Sequence, residues 1–583
     1  VIFTNTGSTT PAVNLTISAA PAVMVVNSSQ NYTLAGTGAL IGSMSLTKSG
    51  TGRFTVANTG ANTFSGSTTI SGGALQIGDG ISVNGNLPGN IVNNATLIFA
   101  NPTALTSASV LTGSGTLVKQ AAGILTVNST NSSYAGNVII GGGAITLGTG
   151  AALNTGTLTL SNGGTFNFPP SSPAYFYPGT ITVSSSQTGT VHSPALGNGV
   201  NGNLISGNSS SLVNISSGVS FGGTTTAQFD SFTGTINVLA GGTLRFSPNS
   251  SANIYGSLNP TFAVNGTLQP RNAGNTVRLG KLSGNGTLSG PQSNGGTGST
   301  IYQIGGANVD STFNGIIASN TAVVGSLVVL HKVGTGKLTL TGNSTYTGGT
   351  IVSNGAVFVS NPTGSGTGAG TVAVRSGATL GGNGFISGAT TIESGATLAP
   401  GDAVGKLTFN STLSLAAGSI SRLELNAAAL TNDTVKTVGA IAYNGTLIVS
   451  NTAGTLAAGH SFKLFEAPGY SGSFTLTTLP ALGANLAWTN RLTTDGTIAV
   501  FSTAPATPPV FNSVTTSGSN LVLSGTNGPA NSSYYVLSTT NVAMPVASWP
   551  RIATNTFNGS GNFNFTNAIN PAMPQNFYRL QLP

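Results

Sequence analysis

Three segments of this 583-residue chain are copies of one another, and a chain built from copies buries its apolar faces by stacking one copy on the next. The first copy runs Lys48-Ser-Gly-Thr-Gly-Arg-Phe-Thr-Val, then Thr63-Phe-Ser-Gly66, then Gly73-Ala-Leu-Gln-Ile. The second runs Lys119-Gln-Ala-Ala-Gly-Ile-Leu-Thr-Val, Ser133-Tyr-Ala-Gly136 and Gly143-Ala-Ile-Thr-Leu. The third runs Lys332-Val-Gly-Thr-Gly-Lys-Leu-Thr-Leu, Thr345-Tyr-Thr-Gly348 and Gly355-Ala-Val-Phe-Val. Between them a looser unit recurs, as in Ile236-Asn-Val-Leu-Ala-Gly-Gly-Thr-Leu244, Phe262-Ala-Val-Asn-Gly-Thr-Leu268 and Val372-Ala-Val-Arg-Ser-Gly-Ala-Thr-Leu380. Alternating apolar residues on both sides of a Gly or Asn turn predict short strands with one face in and one face out. Repeated in this way, they predict coils stacked into a β-solenoid, with glycine at the tight corners.

Composition supports the same class. Charged residues are 4% of the chain, against about 25% in an ordinary soluble domain. The polar surface must then come from Thr, Ser, Asn and Gly, which suit extended backbone and tight turns and exclude helices on a large scale. The net charge of +8 is spread thinly and no two basic residues are adjacent, so no concentrated patch for nucleic acid is expected. There is no cysteine, hence no disulfide and no thiolate metal site. The longest nearly apolar runs, Ala19 to Val26 and Ala322 to Leu330, are far shorter than the roughly 18–20 residues of a membrane helix. The chain starts at Val1 without a basic and apolar leader, so export through a removed signal peptide to the extracellular space or cell surface is expected.

The stretch from Gly334 to Thr350, followed by Gly377-Ala-Thr-Leu-Gly-Gly-Asn-Gly384 and Gly395-Ala-Thr-Leu-Ala-Pro-Gly-Asp402, resembles the autotransporter-associated β-strand repeat. The match is strong over 331–402, clear over 48–80 and weaker over 119–148. The resemblance implies a right-handed parallel β-helix of the kind that forms the passenger regions of large secreted bacterial proteins. An autotransporter also has a membrane barrel, whereas here Ala504-Pro-Ala-Thr-Pro-Pro509 leads into a short tail. That tail alternates through Asn520-Leu-Val-Leu-Ser524, Ser533-Tyr-Tyr-Val-Leu537 and Phe563-Asn-Phe565, and closes on Phe577-Tyr-Arg-Leu-Gln-Leu582. It is similar to the small C-terminal module of many large secreted proteins of environmental bacteria, and a compact antiparallel β-sandwich is expected. The expected layout is an N-terminal strand or assembly segment (1–47), the repeat solenoid (48–403), its C-terminal portion (404–503), a Pro-rich linker (504–509) and the small β domain (510–583).

Few side chains suggest chemistry. The acids are Asp79, Asp230, Asp310, Glu393, Asp402, Glu424, Asp433, Glu466 and Asp495. Glycoside hydrolysis needs paired carboxylates and a calcium site several oxygens, and only Asp402 and Glu424 have a spacing that adjacent coils could bring together. His192, His331 and His460 have no metal or triad spacing. No catalytic residue, cofactor or metal ligand is therefore assigned, and an enzyme is not expected. Phe64, Tyr134 and Tyr346 read as an aromatic stack in the core, with a sugar platform as the alternative. Lys48, Lys119 and Lys332 read as solvated lysines guarding a strand edge, with a ligand stripe as the alternative. The segment from Phe166 to Pro178 carries Phe166, Phe168, Tyr175, Phe176 and Tyr177, and reads as a packed flap or as a loop for glycans or another partner.

A solenoid's first and last coils expose open edges, and this chain has little charge with which to blunt them. The apolar segments Val1, Ile2, Phe3 and Val23, Met24, Val25, Val26, with Phe577, Tyr578 and Leu580 in the tail, are the candidate assembly contacts. The expected function is a structural subunit that pairs head to tail with its own copies in an extracellular filament. The alternative is a monomeric surface adhesin that binds glycans or cells.

Overall fold

Strands of three or four residues bury one or two side chains each, so each needs the same strand of the next coil to complete its face and its hydrogen bonds. The computed structural model of the chain describes all residues except 7–11, 130–132, 149–152, 154–155, 170–175, 178, 195, 197–198, 202–204, 224–230, 249–253, 294–297 and 505–507. In it Val25 lies beside both Ile2 and Thr47, and Thr69 beside both Thr47 and Val92, always in parallel register. Side-chain hydrogen bonds join residues 20, 22, 23 and 24 apart, about the length of one coil. Parallel sheets of seven, ten, twenty-one and eight strands run through the stack in this way, the last with one short antiparallel strand as its ninth member. The resulting fold is a parallel β-solenoid.

The inward side chains form columns. Phe54, Leu75, Leu97, Leu117, Val138, Leu158, Ile181 and Ile205 stand in consecutive register and are all buried. Each such side chain contributes about 1.5–3 kcal/mol by leaving water. The corners are set by backbone conformation. Gly73, Gly143 and Gly355, at equivalent places in the three copies, have φ of 61°, 60° and 63°. A Cβ on any of them would lie 2.4–2.5 Å from carbonyl oxygens of the preceding coil, so only glycine fits.

Contacts divide the chain into two units. The first comprises Val1–Leu456, His460–Ala481 and Thr489–Ala499, and holds the solenoid. The second comprises Ala457–Gly459, Leu482–Trp488 and Val500–Pro583. It contains two three-stranded antiparallel sheets, Val510–Ser517, Asn520–Thr526 and Phe563–Ala568 in one, and Arg551–Thr556, Ser533–Thr539 and Phe577–Gln581 in the other. Leu523, Tyr534, Val536, Phe557, Phe563 and Phe565 form their shared buried cluster. Among the described residues no helix is long and apolar enough to cross a membrane.

Candidate functional site

The lysines that open the three copies are not solvated. Lys48, Lys119 and Lys332 are at most 1% exposed. Each occupies an inward position of an apolar column: Lys48 between Val26 and Ile70, Lys119 between Phe99 and Ile140, Lys332 between Ile304 and Val352. Their ammonium groups reach the corner and donate to backbone carbonyls. Lys332 Nζ donates to Val333 O at 2.6 Å, Gly334 O at 2.8 Å and Asn354 O at 3.3 Å. Lys48 Nζ donates to Gly50 O and, at 3.0 Å, to Gly72 O; Lys119 Nζ donates to Gln120 O and, at 2.8 Å, to Ala121 O. The edge-guarding reading is thereby corrected: the lysine satisfies carbonyls of the turn that follows it. Burial pushes Lys119 and Lys332 down to about 8, the nearby Asp310 opposing it for Lys332, and lowers Lys48 as well.

The aromatics follow one corner rule. Phe64, Tyr134, Tyr177, Phe232, Phe313 and Tyr346 are all at most 1% exposed, and each stands two residues before a glycine. A Cβ on Gly136, Gly179, Gly234 or Gly315 would fall 2.6–3.0 Å from the ring that precedes it, so the ring lies across its glycine. The tyrosines also find hydrogen-bond partners. Tyr134 Oη donates to Gly115 O at 2.5 Å, Tyr177 Oη to Gly156 O at 3.1 Å, and Tyr346 Oη shares a 2.5 Å bond with Thr350 Oγ1. These rings pack in the core, coil by coil.

Three of the aromatics in the segment from Phe166 to Pro178 take the packed arrangement of the two readings. Phe166 and Phe168 are buried and meet edge to face at 5.2 Å, and Tyr177 packs against Phe166 at 5.7 Å. A ring closed off by its neighbours offers no face to a sugar. Phe176 stands with Tyr177 in a two-residue strand, and Tyr175 lies outside the described residues.

At the N-terminal end of the solenoid the strands Ile2–Phe3 and Ala12–Asn14 are the outermost in their sheets. Val1 is 60% exposed, Ile2 69% and Val23 40%. Phe3 is half-buried against Tyr32 and Phe54. Met24 and Val26 are core residues and Val25 is half-buried between its neighbours in the sheet, so of that segment Val23 alone is open to contact. The opposite end differs. The helical turn Leu492–Asp495 buries Leu492, accepts a hydrogen bond from Tyr443 Oη at 3.0 Å, and leads to Gly496, whose carbonyl takes the amides of Leu464 and Phe465. The strand Leu476–Thr478 remains outermost in its sheet, with all three residues exposed. In the second unit Tyr578 and Leu580 pack against the buried cluster and Phe577 is half-buried, so these side chains serve their own module.

Asp402, Glu424 and Asp433, with Arg422, line one depression of about 380 Å³. Asp402 and Glu424, which their spacing could place on adjacent coils, do line the same depression, where Asp433 is engaged by backbone and Asp402 is paired at the surface. Asp433 accepts backbone amides of Gly405 and Glu424 at 2.8 Å and is 1% exposed. Burial, with the Glu424 charge adding, pushes it up to about 7. Asp402 pairs with Lys337 at 2.8 Å. Asp433 thus ties the turn after Glu424 to the coil before it. Among the described residues no group of three metal-ligating side chains occurs.

Residues 46–77 and 330–357 match the passenger-associated-transport-repeat family. Each matched passenger repeat starts two residues before its buried lysine and includes its aromatic and both marker glycines. The copy that opens on Lys119 lies outside the matched residues yet forms the same lysine cage. No curated protein matches the chain. The passenger repeats and the solenoid agree with the resemblance read from Gly334 to Thr350, and they fit a secreted passenger-type β-helix.

Proposed function

We propose that the chain is a passive structural element of the cell exterior, a passenger-type solenoid that joins copies of itself end to end in a filament. The observation that carries this reading is a pair of exposed strand edges, Ile2–Phe3 with Val1, Ile2 and Val23 exposed beside it, and Leu476–Thr478 with all three residues exposed. A parallel strand edge with apolar side chains is a template for one more coil. At the other end the helical turn covers part of the last coil, which leaves the Leu476–Thr478 edge as the complement. Joining two different edges gives a contact that does not close, and hence a fibre. The chain is read as non-enzymatic because its core-facing lysines and its buried Asp433 are consumed by backbone groups. The two C-terminal sheets are read as one small sandwich around Tyr534 and Phe563.

Purified chain is expected to form filaments visible by negative-stain electron microscopy and to sediment as concentration-dependent assemblies. Ile2→Lys and Leu476→Lys place a charge on each edge and are expected to hold it monomeric with an unchanged circular dichroism spectrum. A wild-type chain that stays monomeric at every concentration reached would end the proposal.

A further inference from the structure

From residue 231 to residue 309 the sequence contains Arg245, Arg271, Arg278 and Lys281 and no acid at all. The ion pairs among the described residues all lie between Lys337 and Asp495, and none involves these four cations. Arg245 stands on the strand Thr243–Pro248 between the core residues Leu244 and Phe246, in register with Ser220 and Gln269 of the adjoining coils. It is 8% exposed. Its Nε donates to Ser220 Oγ at 3.0 Å and its Nη1 to Gln292 Oε1 at 2.5 Å, both neutral acceptors. Nη2 has no partner among the described residues. The exposed Arg271 follows the next strand, Thr267–Pro270, and its amide donates to Phe246 O at 2.7 Å, which sets it beside the strand of Arg245. Burial first, and the Arg271 charge second, hold the Arg245 guanidinium below its ordinary value.

A buried cation with only neutral partners beside a second cation is unfavourable unless an anion joins them. A guanidinium fixed at two nitrogens keeps its remaining donors preorganised for an oxyanion. We propose that Arg245 and Arg271 form a binding site for an oxyanion, the sulfate or carboxylate substituent of an extracellular acidic polysaccharide. Arg278 and Lys281, on the strand Thr276–Ser283 of the same coil as Arg271, continue the cationic stretch and suit a ligand whose anionic groups repeat along a chain. This site lies on the solenoid wall and does not depend on end-to-end assembly.

The test uses the full chain, with sodium sulfate and dextran sulfate as probes. Sulfate stabilises proteins generally, so the informative quantity is the rise in Tm over a sodium chloride control of equal ionic strength, compared between wild type and Arg271→Gln. The wild type is expected to show a rise of several degrees beyond that of the variant, and to bind dextran sulfate but not uncharged dextran by titration calorimetry. Arg271→Gln is expected to weaken that binding at least tenfold; being at the surface, it keeps the fold even if Arg245→Gln does not. An identical sulfate response in wild type and Arg271→Gln, or equal binding of single-stranded DNA and dextran sulfate, would overturn the site.

Discussion

Lys332 takes the place of one apolar side chain in a column that runs from Ile304 through Val352 to Val374 and Ile392. Its methylenes fill that place, while its ammonium group answers three carbonyls that the corner turns inward. Lys332→Met keeps the apolar stem and removes the donor, so carbonyls are left without a partner in a buried place. The expected loss is about 3 kcal/mol, the scale of a buried polar group stripped of its bonds, read from the urea midpoint at unchanged slope. A neutral outcome would mean that water reaches the corner and that the lysine merely fills space. Sequence alone pointed this residue outward because charge is the usual mark of surface. The contrary signal was present: in Val118-Lys119 and His331-Lys332 the lysine falls on the inward phase of the alternation, followed by a corner rich in small residues. The cationic stretch around Arg245 was hidden for a related reason, since Arg245 and Arg271 stand on successive coils and the four cations never form a run.

An element of this fold is a short strand plus its corner, and the corner is where the side chains are least exchangeable. The ring of Phe313 lies over Gly315, where an added Cβ would meet ring carbon Cζ at 2.6 Å and Gly286 O at 2.0 Å. Gly377 has the left-handed φ of 79° but open space around it. Gly315→Ala is therefore expected to cost roughly 2–3 kcal/mol through overpacking, and Gly377→Ala roughly 1–2 kcal/mol through conformation alone. Thermal unfolding of the two variants side by side checks the order; a less stable Gly377→Ala would refute the ring-over-glycine account. Strand and corner placement was legible in the sequence because the glycine spacing and the period-two alternation agree, as at Gly66 and Gly73. The sequence leaves the segment with Phe166, Phe168 and Tyr177 between a packed flap and a partner loop because Pro178 interrupts the pattern and conceals a tyrosine two residues before Gly179.

At the scale of the solenoid, every coil is held by the coils before and after it, so local stability depends on how many neighbours a coil has. The amides of Val25 and Asn27 donate to Val1 O and Phe3 O, across the single outermost pairing of the N-terminal end. Those of Thr350 and Ser353 donate to Thr371 O and Lys332 O within a stack that continues on both sides. At the other end Leu464 and Phe465 donate to Gly496 O, beneath the turn that buries Leu492. Hydrogen exchange on the monomeric Leu476→Lys variant is therefore expected to be fastest at Val25 and Asn27, slowest at Thr350 and Ser353, and closer to the interior rate at Leu464 and Phe465. Assembly through the first coil adds a neighbour to Ile2–Phe3, so Val25 and Asn27 are expected to slow in wild-type filaments while Thr350 stays unchanged. Equal exchange at Val25 in filament and monomer would show that copies meet elsewhere.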